Sequence, residues 1–132
     1  MNLLVAALCD AATDYGGKLN LLGTFDTIVV GGLPATHPHC AVALRMVFER
    51  TDEGKRALRL CIVDEDGKPI MRQVEIDFEL VLPSDVFQLS RNFIFNIQHL
   101  KFNRAGYYAI NVTMGDQMLA AIPLHVRRAT GA

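Results

Sequence analysis

Apolar and polar residues alternate with a period of two along most of this chain, and that period belongs to strands. Val42, Leu44, Met46 and Phe48 point one way, with Arg45 and Glu49 on the other side. Ile70, Val74, Ile76, Phe78, Leu80 and Leu82 alternate with Gln73, Glu75, Asp77 and Glu79. Phe87, Leu89, Phe93, Phe95 and Ile97 repeat the pattern between Val86 and Leu100. From Leu100 to Val126 the chain reads as a strand, a two-residue turn at Gly115-Asp116 and a second strand. Residues 2–9 form an apolar run that suits a strand buried on both faces or tucked between sheets. Residues 19–30 form one long strand in which Gly23 predicts a bulge or a bend. No segment shows the helical period. The expectation is an all-β, two-layer antiparallel β-sandwich of about eight strands.

Turn chemistry divides these runs. Gly31 to His39, with prolines at positions 34 and 38, predicts a loop. Asp52 to Gly54 predicts a three-residue hairpin loop that sets Phe48 opposite Leu58, Met46 opposite Leu60 and Leu44 opposite Ile62. Asp64 to Lys68 predicts a second turn of the same kind, with Gly54 and Gly67 both at positive φ. In that register Ala43, Val47, Cys61 and Val63 share the face turned away from the core. Four apolar residues side by side on water-facing strands predict a self-association patch, unless the residues 31–39 loop or the N-terminal strand folds over them. Residues 1–126 make one domain, and 127–132 are expected to form a flexible C-terminal tail.

The phrase Ala105-Gly106-Tyr107-Tyr108-Ala109-Ile110 resembles the entry to the penultimate strand of immunoglobulin-like sandwiches. There a Gly-x-Tyr leads into the strand and the tyrosine hydroxyl bonds back to nearby backbone. The resemblance makes Tyr108 that corner residue. Ile110 stands where antibody domains keep a disulfide cysteine, so apolar packing replaces the bridge.

Composition narrows the function without identifying it. The chain has 132 residues, enough for one core, with 13 basic and 14 acidic side chains and no Trp. The formal net charge of −1 gives no electrostatic footprint for nucleic acid or an anionic membrane. The expected partner is therefore a second copy, as a homodimer, or another protein, with nucleic acid and membrane excluded. Cys9, Cys40 and Cys61 are odd in number and form no CxxC pair, which predicts free thiols and a cytoplasmic setting. The run before Cys9 lacks the basic flank and the length of an export signal.

Leu8-Cys9-Asp10-Ala11, Gly17-Lys18-Leu19-Asn20 and Leu22-Gly23-Thr24-Phe25-Asp26 stand in the N-terminal half. Pro34, His37-Pro38, Gly106-x-Tyr108 and Ile122-Pro123-Leu124 follow. Together these elements resemble a family of small bacterial proteins known only as a domain of unknown function. The resemblance runs nearly the whole length and implies an immunoglobulin-like sandwich without an assigned activity.

Candidate chemistry is sparse. His37, His39 and Cys40 are residue types that suit zinc, with His99 or His125 as further ligands. A loop leading into a strand with a buried Cys40 accounts for the same residues. Asp64, Asp66 and Gly67 echo the opening of a calcium loop but lack its downstream Glu. Cys9 and Cys61 lie in or beside apolar strands, where a thiolate is disfavoured. Glu75, Asp77 and Glu79 fit a solvated strand face. No catalytic, cofactor-binding or metal residue is assigned, and the expectation is a non-enzymatic, self-associating structural or protein-interaction module without a cofactor. The alternative is a ligand- or metal-binding domain built on the 37–40 loop.

Overall fold

The computed structural model describes residues 1–130. These form nine strands and one short 3-10 turn, and no α-helix occurs among the described residues. The strands are β1 (Asn2–Tyr15), β2 (Lys18–Thr24), β3 (Thr27–Val30), β4 (Ala35–Glu49) and β5 (Gly54–Val63). They continue with β6 (Val74–Leu80), β7 (Gln88–Phe102), β8 (Gly106–Met114) and β9 (Gln117–Arg128). One sheet has the order β2-β1-β4-β7 and the other β3-β9-β8-β5-β6. Every pairing between named strands is antiparallel except the parallel contact of β3 with β9.

The alternating residues meet between the sheets. Val42, Leu44, Met46 and Phe48 from β4 are fully buried, as are Leu58, Leu60 and Ile62 from β5 and Ile110 and Val112 from β8. Phe78, Phe93 and Phe48 pack ring to ring where β6 lies over β7, and the Arg91 guanidinium stands 5.1 Å from the Phe78 ring centre. That cation closes one side of the sandwich.

Several expectations need correction. The predicted β4–β5 hairpin does not form: β4 pairs with β1 and β7, whereas β5 pairs with β6 and β8. The 3-10 turn Arg50–Asp52 carries the chain from one sheet to the other. Phe48 and Leu58 therefore belong to opposite layers of one core, and both still point inward. Gly54 and Gly67 have φ of +129° and +77°, of the predicted sign. Residues 35–39 belong to β4, and only Gly31 to Pro34 form the loop. The long strand over 19–30 is two strands, because the chain changes sheets at Phe25-Asp26. Phe87 is 90% exposed and takes no part in the core. Arg127 and Arg128 pair with Val29 and Val30 and so are strand, not tail. The remainder of that expected tail includes residues 131 and 132, which lie outside the described residues.

The four-residue patch also dissolves. Ala43 and Val47 are in one sheet and Cys61 and Val63 in the other. Ala43 is covered by the chain itself. A straight β1 would carry Gly17 about 40 Å beyond Val5, the β1 residue that pairs with Arg45. Instead the β1–β2 hairpin curls back, and the Gly17 carbonyl accepts a 2.9 Å hydrogen bond from Arg45. Asn92 holds the same tip, donating to Asp14 at 2.9 Å and to the Gly17 carbonyl at 3.2 Å. Ala12 and Leu19 then pack on a second small core of Cys9, Ala41 and Ala43. The N-terminal strand thus covers part of this face within one chain.

Candidate functional site

The residues singled out for chemistry do not converge. Cys40 is fully buried in the main core, while His39 is exposed beside it. The His37 ring packs at a 47° tilt to Phe25, with centroids 5.7 Å apart. Burial, then the neighbouring Cys9 and Asp10, pushes the Cys40 thiol up to about 11. Ile97 and Leu100, opposite Cys40 and His37, are both buried although three residues apart. His99, with φ of +55°, breaks the alternation between them. No group of three or more His, Cys, Asp or Glu side chains placed to hold a metal occurs among the described residues. Burial likewise raises the Cys9 thiol. Cys61 is half-buried on the outer face of its sheet, not in the core.

The acidic turn is structural. Asp64 Oδ1 accepts from the backbone N–H groups of Asp66 and Lys68, both at 2.9 Å, and Arg104 pairs with Oδ2 at 3.2 Å. The Lys68 bond leads the set of contacts that hold the Asp64 carboxyl below its usual range. Arg104 is also the acceptor residue of the tyrosine corner: the Tyr108 hydroxyl donates to its carbonyl at 2.6 Å. Gly106, at φ +144°, leaves room for the Glu65 carboxylate that receives the Tyr107 N–H at 2.8 Å. A Cβ at position 106 would collide with that carboxylate.

A feature the sequence did not reveal lies on the side opposite Arg91. β2 pairs with β1 only from Cys9 onward, so residues 2–7 have no strand neighbour there. β3 pairs with β9 only from His125 onward, so residues 117–124 are likewise open. Where these two edges approach each other lies a shallow open groove of about 410 Å³, lined by Ala6, Ala7 and Leu8 on one side and Ile122 and Pro123 on the other. Thr24, Phe25 and Asp26 close its end, where the chain crosses between sheets. Leu4 and Met118, on the two edge segments, are 52% and 53% exposed.

Edge strands with free backbone groups invite pairing, and charged side chains normally blunt them. Glu75, Asp77 and Glu79 do so on β6, and Gln88, Ser90, Asn96, Gln98 and Lys101 keep the exposed positions of β7 polar. The β1 and β9 segments read Leu3-Leu-Val-Ala-Ala7 and Met118-Leu-Ala-Ala-Ile122, without a charge, and are interrupted by one bulge each and by Pro123. The sequence signal was present in these uncharged runs, but only the sheet order reveals that their edges are unpaired.

Residues 4–127 match the model of a family described as "Family of unknown function (DUF6941)". No curated protein matches the sequence. Among solved structures, the chain is similar to the Pseudomonas fluorescens alkylpurine DNA glycosylase AlkC bound to DNA containing an abasic site analog. The TM-score is 0.46 at 12% identity, over 77% of this chain and 28% of that one. A likeness at that level assigns neither fold nor activity. The exclusion of nucleic acid from the expected partners is nonetheless withdrawn, beside a structure that holds DNA, on a flaw in its own premise. The exclusion rested on a formal net charge of −1, a sum over the whole surface that says nothing of where charge lies. Membrane was excluded on the same net charge; no helix among the described residues is long and apolar enough to cross one.

Proposed function

The chain belongs to DUF6941, a family of unknown function, and we propose that it serves as a non-enzymatic structural or interaction module of immunoglobulin-like build. The observation that carries this reading is the pair of unpaired, uncharged strand edges facing each other across the open side. Such edges gain free energy from a partner that pairs their backbone and covers their apolar side chains. Ionisable side chains elsewhere support the same reading, since Asp64 braces a turn and Asp52 pairs with the N-terminal ammonium at 3.1 Å. The free thiols of Cys9, Cys40 and Cys61 support a reducing, cytoplasmic setting. The dissolved four-residue patch no longer supports self-association, and the buried Cys40 weighs against a ligand site at residues 37–40.

Affinity capture in the source organism tests the module, using the chain and a Leu4→Lys, Met118→Lys double variant. Both residues are half exposed, so the substitutions leave the core intact. We expect captured partners to be lost from the variant. An identical set of partners from both, or substrate turnover by the purified chain, would refute the reading.

A further inference from the structure

We propose that the occupant of the open side is an extended polypeptide segment of basic character, added as a strand along the free edge of β1. The inference rests on the interaction reading above and names the partner's chemistry. Its first ground is backbone direction. The Leu8 carbonyl accepts a 3.0 Å hydrogen bond from Phe25 N–H, so residue 8 presents its backbone polar groups toward the β2 side. The two-residue period of a strand turns the N–H and C=O of Ala6 the same way, where no strand follows. Groups spaced in this manner are matched by another extended backbone, the mode of strand addition. The regular part of this edge runs from Val5 to Ala7, roughly 10 Å, because a bulge between Leu3 and Val5 shifts the pairing with β4.

The second ground is side-chain space. The groove beside this edge is lined by small residues, Ala6 and Ala7, and by Ile122 across the gap. An incoming strand places alternate side chains into that space, and branched apolar groups fill it.

Charge supplies the third ground. No Lys or Arg occurs from Asn2 to Tyr15 or from Gly115 to Val126. Of the charged residues along these stretches and the crossover, Asp10 and Asp26 are exposed at the crossover end, whereas Asp14 is bound by Asn92 at the hairpin tip and Asp116 lies in the β8–β9 turn. Asp26 itself lines the groove. A segment carrying lysine or arginine complements this rim.

The test uses a fluorescent peptide of about nine residues in which valine alternates with lysine and threonine, roughly 30 Å when extended. A second peptide has glutamate in place of lysine, and oligothymidylate serves as the nucleic-acid probe. Anisotropy should show saturable binding of the lysine peptide, with the glutamate peptide at least about tenfold weaker. Asp26→Asn should weaken the lysine peptide severalfold and flatten its salt dependence. Ala6→Pro deletes the docking donor on the side away from β4 and should abolish binding. Amide exchange of the unsubstituted chain gives the same answer without a variant: the Ala6 amide should become protected when peptide is added.

Several results would overturn the proposal. They are no saturable peptide binding, an Ala6 amide that stays unprotected, a preference for the glutamate peptide, or displacement of peptide by oligothymidylate. A dimer in sedimentation that Ala6→Pro returns to monomer would put a second copy in the seam and overturn it as well. If host capture depends on Leu4 and Met118 while neither peptide binds, the strand reading falls and the interaction module stands. If capture is also unaffected, both fall.

Discussion

Replacing Tyr108 by Phe and by Ala separates the two contributions this side chain makes. Its ring is 7% exposed and packs edge-on against Phe102 at a centroid distance of 5.1 Å. Its hydroxyl donates to the Arg104 carbonyl at 2.6 Å. Phe keeps the ring and deletes the bond. Arg104 is exposed, so water can reach the abandoned carbonyl and the loss should be that of one net hydrogen bond, about 1 kcal/mol. Ala also deletes the ring, including an aromatic contact worth about 0.5–1.5 kcal/mol, and the total should reach roughly 3–5 kcal/mol. The reading requires an ordered pair of losses, with the smaller about a fifth to a third of the larger. Urea unfolding monitored by circular dichroism measures both, and the slope should stay constant so that midpoints report stability alone. A neutral Tyr108→Phe would show that the corner bond adds nothing. A Phe loss as large as the Ala loss would show that the ring is not what the core holds. Alkaline titration adds a check of sign. Burial raises the Tyr108 phenol above its ordinary value of 10.0, so its neutral form is favoured in the fold. That contribution is complete below pH 10 and is lost above it; Tyr108→Phe should lack this part of the alkaline loss.

Gly67→Ala should cost about 1 kcal/mol from backbone strain at φ +77°, since a Cβ there meets open space; an unchanged urea midpoint would refute this. Thiol titration of the denatured chain should find all three cysteines free. In the native chain at pH 8 the half-buried Cys61 should react first, with Cys9 and Cys40 following only on opening; rapid labelling of Cys40 would contradict its burial. For Asp52, burial pushes the carboxyl up. The bonds from the Glu49 N–H and the N-terminal ammonium, with the Arg56 charge, outweigh it and leave the group below 3.8. Its contribution is therefore present above pH 3.8 and is lost as pH falls toward the lower folded value. Asp52→Asn should destabilise by about 1 kcal/mol at pH 7 and converge with the unsubstituted chain in acid; a gap independent of pH would refute the ion pair.

The sequence by itself determined most of the strands and inward faces, because the two-residue period is a local property of the backbone, but not the strand at residues 35–39 or the outward Phe87. It determined the Gly115-Asp116 turn and the Tyr108 corner, since both depend on contacts a few residues apart. Only the tertiary structure decided which strands are neighbours. A hairpin from β4 to β5 and a crossover between sheets present the same alternation to the core, so Phe48 and Leu58 point inward either way. The turn residues Arg50 to Gly54 reverse the chain in both cases, and the choice is made by β7 and β8, which claim those edges from far along the chain. The fate of Ala43 was decided in the same way, by a hairpin tip that Arg45 and Asn92 hold over it. So was the open side. Residues 2–9 read as buried on both faces, which holds for Leu8 and Cys9 but not for the half-exposed Leu4. An unpaired edge is a property of sheet order, and sheet order arises from long-range pairing that no local period encodes.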